Sequence, residues 1–310
     1  MENTPTLLAS VVITTKSRKE ELRVALRSVF FQTAQPEVVV IDDGSTDGTA
    51  EMVRNEFPKT VLHRFIESKG YIVRRNEGAR LATGDVIFSI DDDAEFSTPQ
   101  VIEQALMGFE DPRIGAVAIP YIEPHKDNRL MQQAPDLENV WISDRFIGTA
   151  HALRRDVFLK LGGYREQLVH QGEEGDYCIR LLNAGHFVRL VDADAIIHHE
   201  SARRNYRRMD FYGRRNDVLF AWHNVPLLGL PVHLLATTCN GLRWAVRVKR
   251  PILMAWGLIC GYAACGKYFR QRKPVNQTAY RLFRRLKIAG AMPIETVSTQ
   301  WADIERMKAN

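Results

Sequence analysis

An α/β fold built on a mostly parallel central sheet, with a helical C-terminal extension, is what this sequence predicts. Three observations predict it. As far as about residue 120, apolar β-branched runs alternate with helix-period segments, which implies parallel strands covered on both faces. Carboxylate clusters stand where two of those runs end, and the ends of parallel strands are where such sheets place ligands. From about residue 203 the chain turns helical and basic, with Pro226, Pro231, Pro251 and Pro274 as punctuation.

The strands are expected at Leu8–Thr14, Glu37–Ile41, Thr60–Phe65, Asp85–Ile90 and Ile114–Ile119, with helices near 18–33, 47–56, 71–82 and 99–109. Ser17 and Glu20 have capping-box spacing for the first helix. Thr98 before Pro99 reads as an N-cap and first turn. Residues 121–147, with Pro124, His125, Asp127, Asn128 and Pro135, read as one long loop, a length usually tied to function. Helices at 154–161 and 173–184 follow, the second closed by Gly185, and then short strands at Phe187–Val191 and Ala195–His198. No internal repeat or low-complexity tract interrupts this order.

Composition narrows the class. The chain has 310 residues, of which 45% are hydrophobic and 25% charged, so it is not a disordered chain. The net charge of +5 is uneven. Arg203, Arg204, Arg207, Arg208, Arg214, Arg215, Arg243, Arg247, Lys249 and Arg250 crowd the region 200–290, and the acidic residues fall mostly earlier. That balance suits an anionic partner such as a phospholipid surface. The four cysteines show no zinc spacing and no disulfide framework, which fits a reducing cytoplasm. The opening MENTPTLLASVVITT has no cationic stretch ahead of its apolar run, so it reads as a strand and not a signal peptide. The apolar run from Pro251 to Gly266 falls short of the ~20 residues that span a bilayer.

Four motifs can carry chemistry. Asp91-Asp92-Asp93 closes an apolar strand; alternate residues of an extended chain share a face, so Asp91 and Asp93 can converge on one hard divalent cation. A solvated acidic loop is the plainer reading. Asp42-Asp43-Gly44-Ser45-Thr46-Asp47 closes another strand, where Asp43 can accept from a nucleoside, or where the segment is simply a strand-to-helix turn. Gly172-Glu173-Glu174-Gly175-Asp176 opens a helix. Asp176 can pair with Arg180 four residues on, which leaves Glu173 and Glu174 as candidate bases. His198-His199 ends the last strand, structural or metal-contacting.

Taken in order over residues 8–222, these segments resemble glycosyltransferase family 2. Ser10-Val11-Val12-Ile13-Thr14 with Arg18 resembles its opening strand and helix, and Val39 to Asp47 its nucleotide loop. Arg75-Asn76-Glu77-Gly78 resembles its Arg-Asn-x-Gly helix start, and Gly84-Asp85 leading to Asp91-Asp92-Asp93 its DxD segment. Gly148 to Arg154 with Gly162-Gly163-Tyr164 is similar to its acceptor side. Glu173-Glu174 stands where Glu-Asp is usual, and His199-Glu200-Ser201 matches the late histidine.

The resemblance implies the GT-A fold and inverting transfer from a nucleoside-diphosphate sugar, with UDP or dTDP ahead of GDP. It implies a catalytic domain over 1–222, divided near residue 120 into nucleotide-sugar and acceptor halves, before a helical region over 223–310. Thr14, Arg18, Asp43, Arg75, Asp91 and Asp92 would then hold the nucleotide. Asp91, Asp93 and His199 would hold Mn²⁺ or Mg²⁺, and Glu174, or its neighbour Glu173, would be the base. Glutamate in place of aspartate there is one methylene longer. Lys16 occupies a position where a base-stacking side chain can sit.

The acceptor would be a saccharide or lipid-linked saccharide of cell-surface polysaccharide assembly, with the protein at the inner face of the membrane and the basic helices of 200–290 in peripheral contact with lipid. Packing of those helices on the catalytic part, arginines outward, is the plainer alternative. Nucleic acid has no motif to bind here. A nucleotidyltransferase would want a glycine-rich loop after the first strand, and Thr14-Thr15-Lys16-Ser17-Arg18 has no glycine. A glycoside hydrolase would use paired carboxylates without a nucleotide loop. A catalytically silent sugar-nucleotide binder or membrane scaffold is the alternative of another class, and turnover separates it.

Overall fold

The computed structural model describes residues 7–199 and 206–309, with side chains as far as Trp301. The first half runs β1 (Ala9–Thr15), α1 (Lys19–Phe30), β2 (Glu37–Asp42), α2 (Thr49–Glu56), β3 (Val61–Arg64), α3 (Tyr71–Leu81), β4 (Val86–Asp91), β5 (Ala94–Phe96), α4 (Val101–Leu106) and β6 (Ile114–Ala118). Then come β7 (Tyr121–Ile122), β8 (Trp141–Ser143), β9 (His151–Arg154), α5 (Arg155–Lys160), α6 (Glu173–Asn183), β10 (Phe187–Leu190) and β11 (Ile196–His198). The remainder is α7 (Tyr206–Asn224), α8 (Leu230–Arg247), α9 (Pro251–Lys267), α10 (Gln277–Ala289), β12 (Ala291–Pro293) and α11 (Ile294–Ala309).

Nine strands form the central sheet in the order β12-β8-β10-β6-β9-β4-β1-β2-β3. β4, β1, β2 and β3 run parallel, as do β6 and β10. The core strands are apolar and buried almost throughout, β6 at every position, because helices cover both faces. α1 buries Leu22, Ala25, Leu26 and Val29, one helical face at three- and four-residue spacing. α3 lies so close to the sheet that a Cβ on Gly78 would stand 2.4 Å from Val12 Cγ1. A second sheet, β5-β11-β7, stands beyond the end of β4.

Several local expectations give way to tertiary contacts. Ser17 takes φ 51 and caps nothing; its amide donates to Ser45 Oγ, while its Oγ accepts from the Thr46 amide, so it joins two loops. Thr98 gives its hydroxyl to Asp194 at 2.7 Å, and α4 begins at Val101 without a side-chain cap. The segment 121–147 contains β7 and β8, and Gln132 Nε2 ties it to the carbonyls of Ile119 and Ala150. β9, ahead of α5, is an antiparallel insertion between β4 and β6. β12 brings the chain back after four helices to pair with β8.

A candidate active site at the strand ends

Turns of β1, β2 and β4 end at the same edge of the parallel sheet, and α3 and α6 approach them from the side. Between these elements lies a cavity of about 660 Å³. Thr14, Lys16, Arg18, Asp43, Arg75, Asp91, Asp92, Asp93, Glu173 and Glu174 all line it. His199 does not. Seven carboxyls face it against four Lys and Arg side chains, a balance that suits a cation.

The Asp91–Asp93 segment divides its labour by direction. Asp92 is buried, accepts from Thr15 Oγ1 at 2.7 Å and from Arg18 Nη1 at 2.9 Å, and burial pushes its carboxyl up to about 7. Arg18 Nη1 also reaches Asp93 Oδ2 at 2.8 Å. Asp91 and Asp93 turn toward β11, where His198 Nε2 stands 3.3 Å from Asp93 Oδ1 and 4.0 Å from Asp91 Oδ2. One ligand atom from each of these three lies within 4.8 Å of the other two, so two carboxylates and an imidazole face a common point. Hard oxygen donors with one nitrogen fit Mn²⁺ and, less specifically, Mg²⁺. His198 Nδ1 lies 3.2 Å from Glu123 Oε1, which orients the ring.

This corrects the histidine. His198, not His199, is the one aimed at the carboxylates, because consecutive side chains of a strand point to opposite sides. His199 Nε2 meets Glu95 Oε1 at 2.7 Å on the other side, while its amide donates to the Asp93 carbonyl. Glu200 and Ser201, named with it, and the basic Arg203 and Arg204 lie outside the described residues.

Four residues of α3 have separate physical tasks. Arg74 donates its Nε to Asp43 at 2.6 Å under the ring of Phe65. Arg75 is buried and bridges Asp91, at 2.5 Å, to Glu173, at 3.5 Å. Burial opposes its charge, and those two carboxyls hold it protonated. Asn76 pairs with both the amide and the carbonyl of Tyr164, and Gly78 allows the close approach to β1. Asp43 accepts from Ser68, Arg74 and the amides of Lys69 and Gly70. Burial alone would raise its pKa; these donors instead hold it below the usual carboxylate range.

α6 opens with both glutamates. Glu173 is fully buried against Arg75, whereas Glu174 is half-buried, and a Cβ on Gly148 would lie 2.6 Å from its Oε1. Burial pushes both carboxyls up, and a neighbouring carboxylate adds to it, Glu174 at Glu173 and Asp91 at Glu174. Asp176 is withdrawn into the core, held by Arg180 at 3.1 Å, by Arg165 and by Asn224 at 2.7 Å. Its charge is structural.

Tyr71, Gly148, Thr149, His170 and Glu123 also line the cavity, and three of the five had no motif to point to them. His170 is driven down to about 4 by burial and the nearby Arg208, so it faces the cavity neutral. Only Gly148 and Thr149 had a signal, as the start of the acceptor-side segment.

Residues 10–165 match the family model described as "Glycosyl transferase family 2". A glucosyl-dolichyl phosphate glucuronosyltransferase of Haloferax volcanii is 28% identical over 223 residues, covering 65% of this chain and 70% of its own length. A mannosyltransferase of Pyrobaculum calidifontis, solved with GDP-mannose and Mn²⁺, superposes with a TM-score of 0.58 at 20% identity, over 96% of this chain and 85% of that one. S. aureus TarS 1–349 with UDP-GlcNAc gives 0.56 at 16%, over 86% and 92%. At those identities the two structures speak for the fold.

Proposed function

This chain belongs to glycosyl transferase family 2, a glycosyltransferase with the GT-A fold, and from that premise we propose a metal-dependent, inverting transfer of a sugar from a nucleoside diphosphate. The observation that carries the reading is the convergence of Asp91, Asp93 and His198 in the wall of the cavity that Glu174 also lines. The acceptor is a saccharide or lipid-linked saccharide, the latter supported by the dolichyl phosphate in the name of the Haloferax relative. The neighbours were solved with GDP-mannose and with UDP-GlcNAc, so both nucleotide types are within reach of the fold. We place UDP and dTDP ahead of GDP.

In this mechanism Thr14, Arg18 and Asp43 hold the nucleoside end of the donor, Asp43 being anchored by Arg74 and by the 68–70 turn. Asp91, Asp93 and His198 would hold Mn²⁺ or Mg²⁺, which when bound neutralises charge on the departing diphosphate. Arg75 keeps Asp91 and Glu173 in register across the cavity. Glu174 takes the proton of the acceptor hydroxyl as that oxygen attacks the anomeric carbon from the face opposite the diphosphate. A carboxyl whose pKa is raised by burial suits a base working near neutral pH. Glu173, enclosed and tied to Arg75, supports the geometry. Residues Tyr121 to Ile147 cover the mouth and exclude water, with Glu123 and Ile147 already on its rim. We place the protein in the cytoplasm, at the membrane's inner face. Among the described residues, no helix is long and apolar enough to cross a membrane.

The test is calorimetric titration of UDP, dTDP and GDP with and without Mn²⁺ on wild type, Asp93→Ala and Glu174→Gln. One nucleotide should bind in a metal-dependent way, lose that dependence in Asp93→Ala and keep it in Glu174→Gln. Turnover of Glu174→Gln should fall by about 10²–10⁴. Absence of nucleotide binding under every condition would remove the donor-site assignment.

A further inference from the structure

The C-terminal helices carry an apolar surface that no described element covers. α8 turns Val232, Leu235, Cys239, Leu242 and Val246 to solvent, three and four residues apart, which is one continuous stripe. Val232 is 72% exposed and Leu235 66%. α9 does the same with Ile252, at 83%, Trp256, at 55%, and Ile259. α9 cannot roll to hide its stripe. Its inner side holds Met254, Leu258 and Cys265 in the interior. Gly257 and Gly261 sit against the α7 backbone, where added Cβ atoms would come within 2.3 Å of Phe211 O and 2.9 Å of Arg215 O.

Charge identifies the occupant. From Asp217 to Glu295 the intervening sequence has no acidic residue and twelve Lys and Arg. Exposed Arg243, Arg247 and Lys249 gather where α8 gives way to α9, and Pro251 to Gly266 has no charge at all. A second copy meeting this face through a two-fold contact would set these cations against their equals. A nucleic acid would leave the apolar stripes exposed to water. An anionic lipid surface satisfies both features, taking the stripes at the acyl boundary and the cations among its headgroups.

We propose that α8 and α9 form a flat docking surface for anionic membranes, in which Val232, Leu235, Ile252 and Trp256 enter the interface. The basic α7 is not part of it, because α9 packs along it. α7 instead transmits the orientation: Arg208 and Met209 in its first turn line the catalytic cavity. The bound protein therefore holds the cavity mouth in a fixed relation to the lipid plane. That consequence for a lipid-linked acceptor rests on the transferase reading; the docking itself does not.

The test is flotation of the full chain with vesicles of phosphatidylcholine alone and of phosphatidylcholine mixed with phosphatidylglycerol. The anionic vesicles should carry the protein, less so as salt rises. Leu235→Glu with Trp256→Glu should weaken flotation about tenfold or more, given the apolar area withdrawn. Arg243→Gln with Lys249→Gln should weaken it and flatten its salt dependence. Nucleotide titration of both variants, expected to match wild type, checks the fold and separates this proposal from the enzymatic one. Equal flotation of wild type and the Leu235→Glu, Trp256→Glu variant overturns the docking surface. So does failure to float with either vesicle, or a stable dimer that the same substitutions dissolve.

Discussion

Glu173 and Glu174 are neighbours with opposite surroundings because a helix turns roughly 100° per residue. One is enclosed beside Arg75; the other looks into the cavity. The same logic on a strand separates His198 from His199. Burial sets a third residue apart. His151 has no exposed surface, stacks on Phe146, and makes ring contacts of 3.1 Å to Ile147 O and 2.9 Å to Tyr164 Oη. Burial, with Arg75 nearby, lowers its pKa to about 3, so it stays neutral in the fold while an unfolded histidine protonates near 6.5. Its folded pKa is depressed. Its contribution is therefore whole above about pH 6.5 and is lost as pH falls toward 3. From pH 7 to pH 5 wild type should lose about 2 kcal/mol more than His151→Gln in urea unfolding. Parallel pH profiles for the two proteins would contradict this.

At the scale of elements, the entry to α6 is a strained turn held from outside. Val169, a β-branched residue, has φ 64 and Gln171 has φ 67, conformations that cost energy unless neighbours impose them, and Gly172 follows at φ 86 without that cost. Asn216 on α7 imposes them. Its buried Nδ2 lies 2.8 Å from the carbonyl oxygens of Leu168 and His170 and 2.7 Å from that of Gln171. Tyr71 Oη accepts from the Gln171 amide on the other side. Asn216→Ala leaves those carbonyls without their donor and should cost about 1–3 kcal/mol. Because the turn aims the two glutamates, turnover should drop more than the melting temperature implies, with nucleotide affinity retained. A variant whose loss of activity is matched by loss of folded protein would assign Asn216 to stability alone.

Across the whole molecule, the C-terminal part is tied to the sheet at its far edge. β12 pairs with β8, and Ile294 and Val297 at the start of α11 are buried in the common core. Removing residues 291–310 should expose β8 as a free edge and forfeit at least about 3 kcal/mol of apolar burial. A shortened chain should melt earlier and self-associate in sedimentation. Unchanged melting would mean that β12 is an ornament of the sheet.

The strands β1, β2, β4 and β6, apolar over most of their length, were legible in sequence because burial on both faces favours apolar side chains at successive positions. The carboxylates at their ends were legible because charge there opposes that pattern. β7, β8, β9 and β12 were not, since their short segments lack a run of β-branched residues and their pairing is set by distant partners. Ser17 and Thr98 show the same limit at caps, where a contact across the fold outweighed the local rule. By itself the sequence determined the family, the α/β class and most of the acidic residues that line the cavity, though not Glu123, since these depend on residue type and order along the chain. Which histidine meets Asp93, which glutamate is fully enclosed, and which face of α8 and α9 remains bare were decided only by the tertiary structure. Each depends on the direction of a side chain relative to elements distant in sequence, and that direction exists only once those elements have packed.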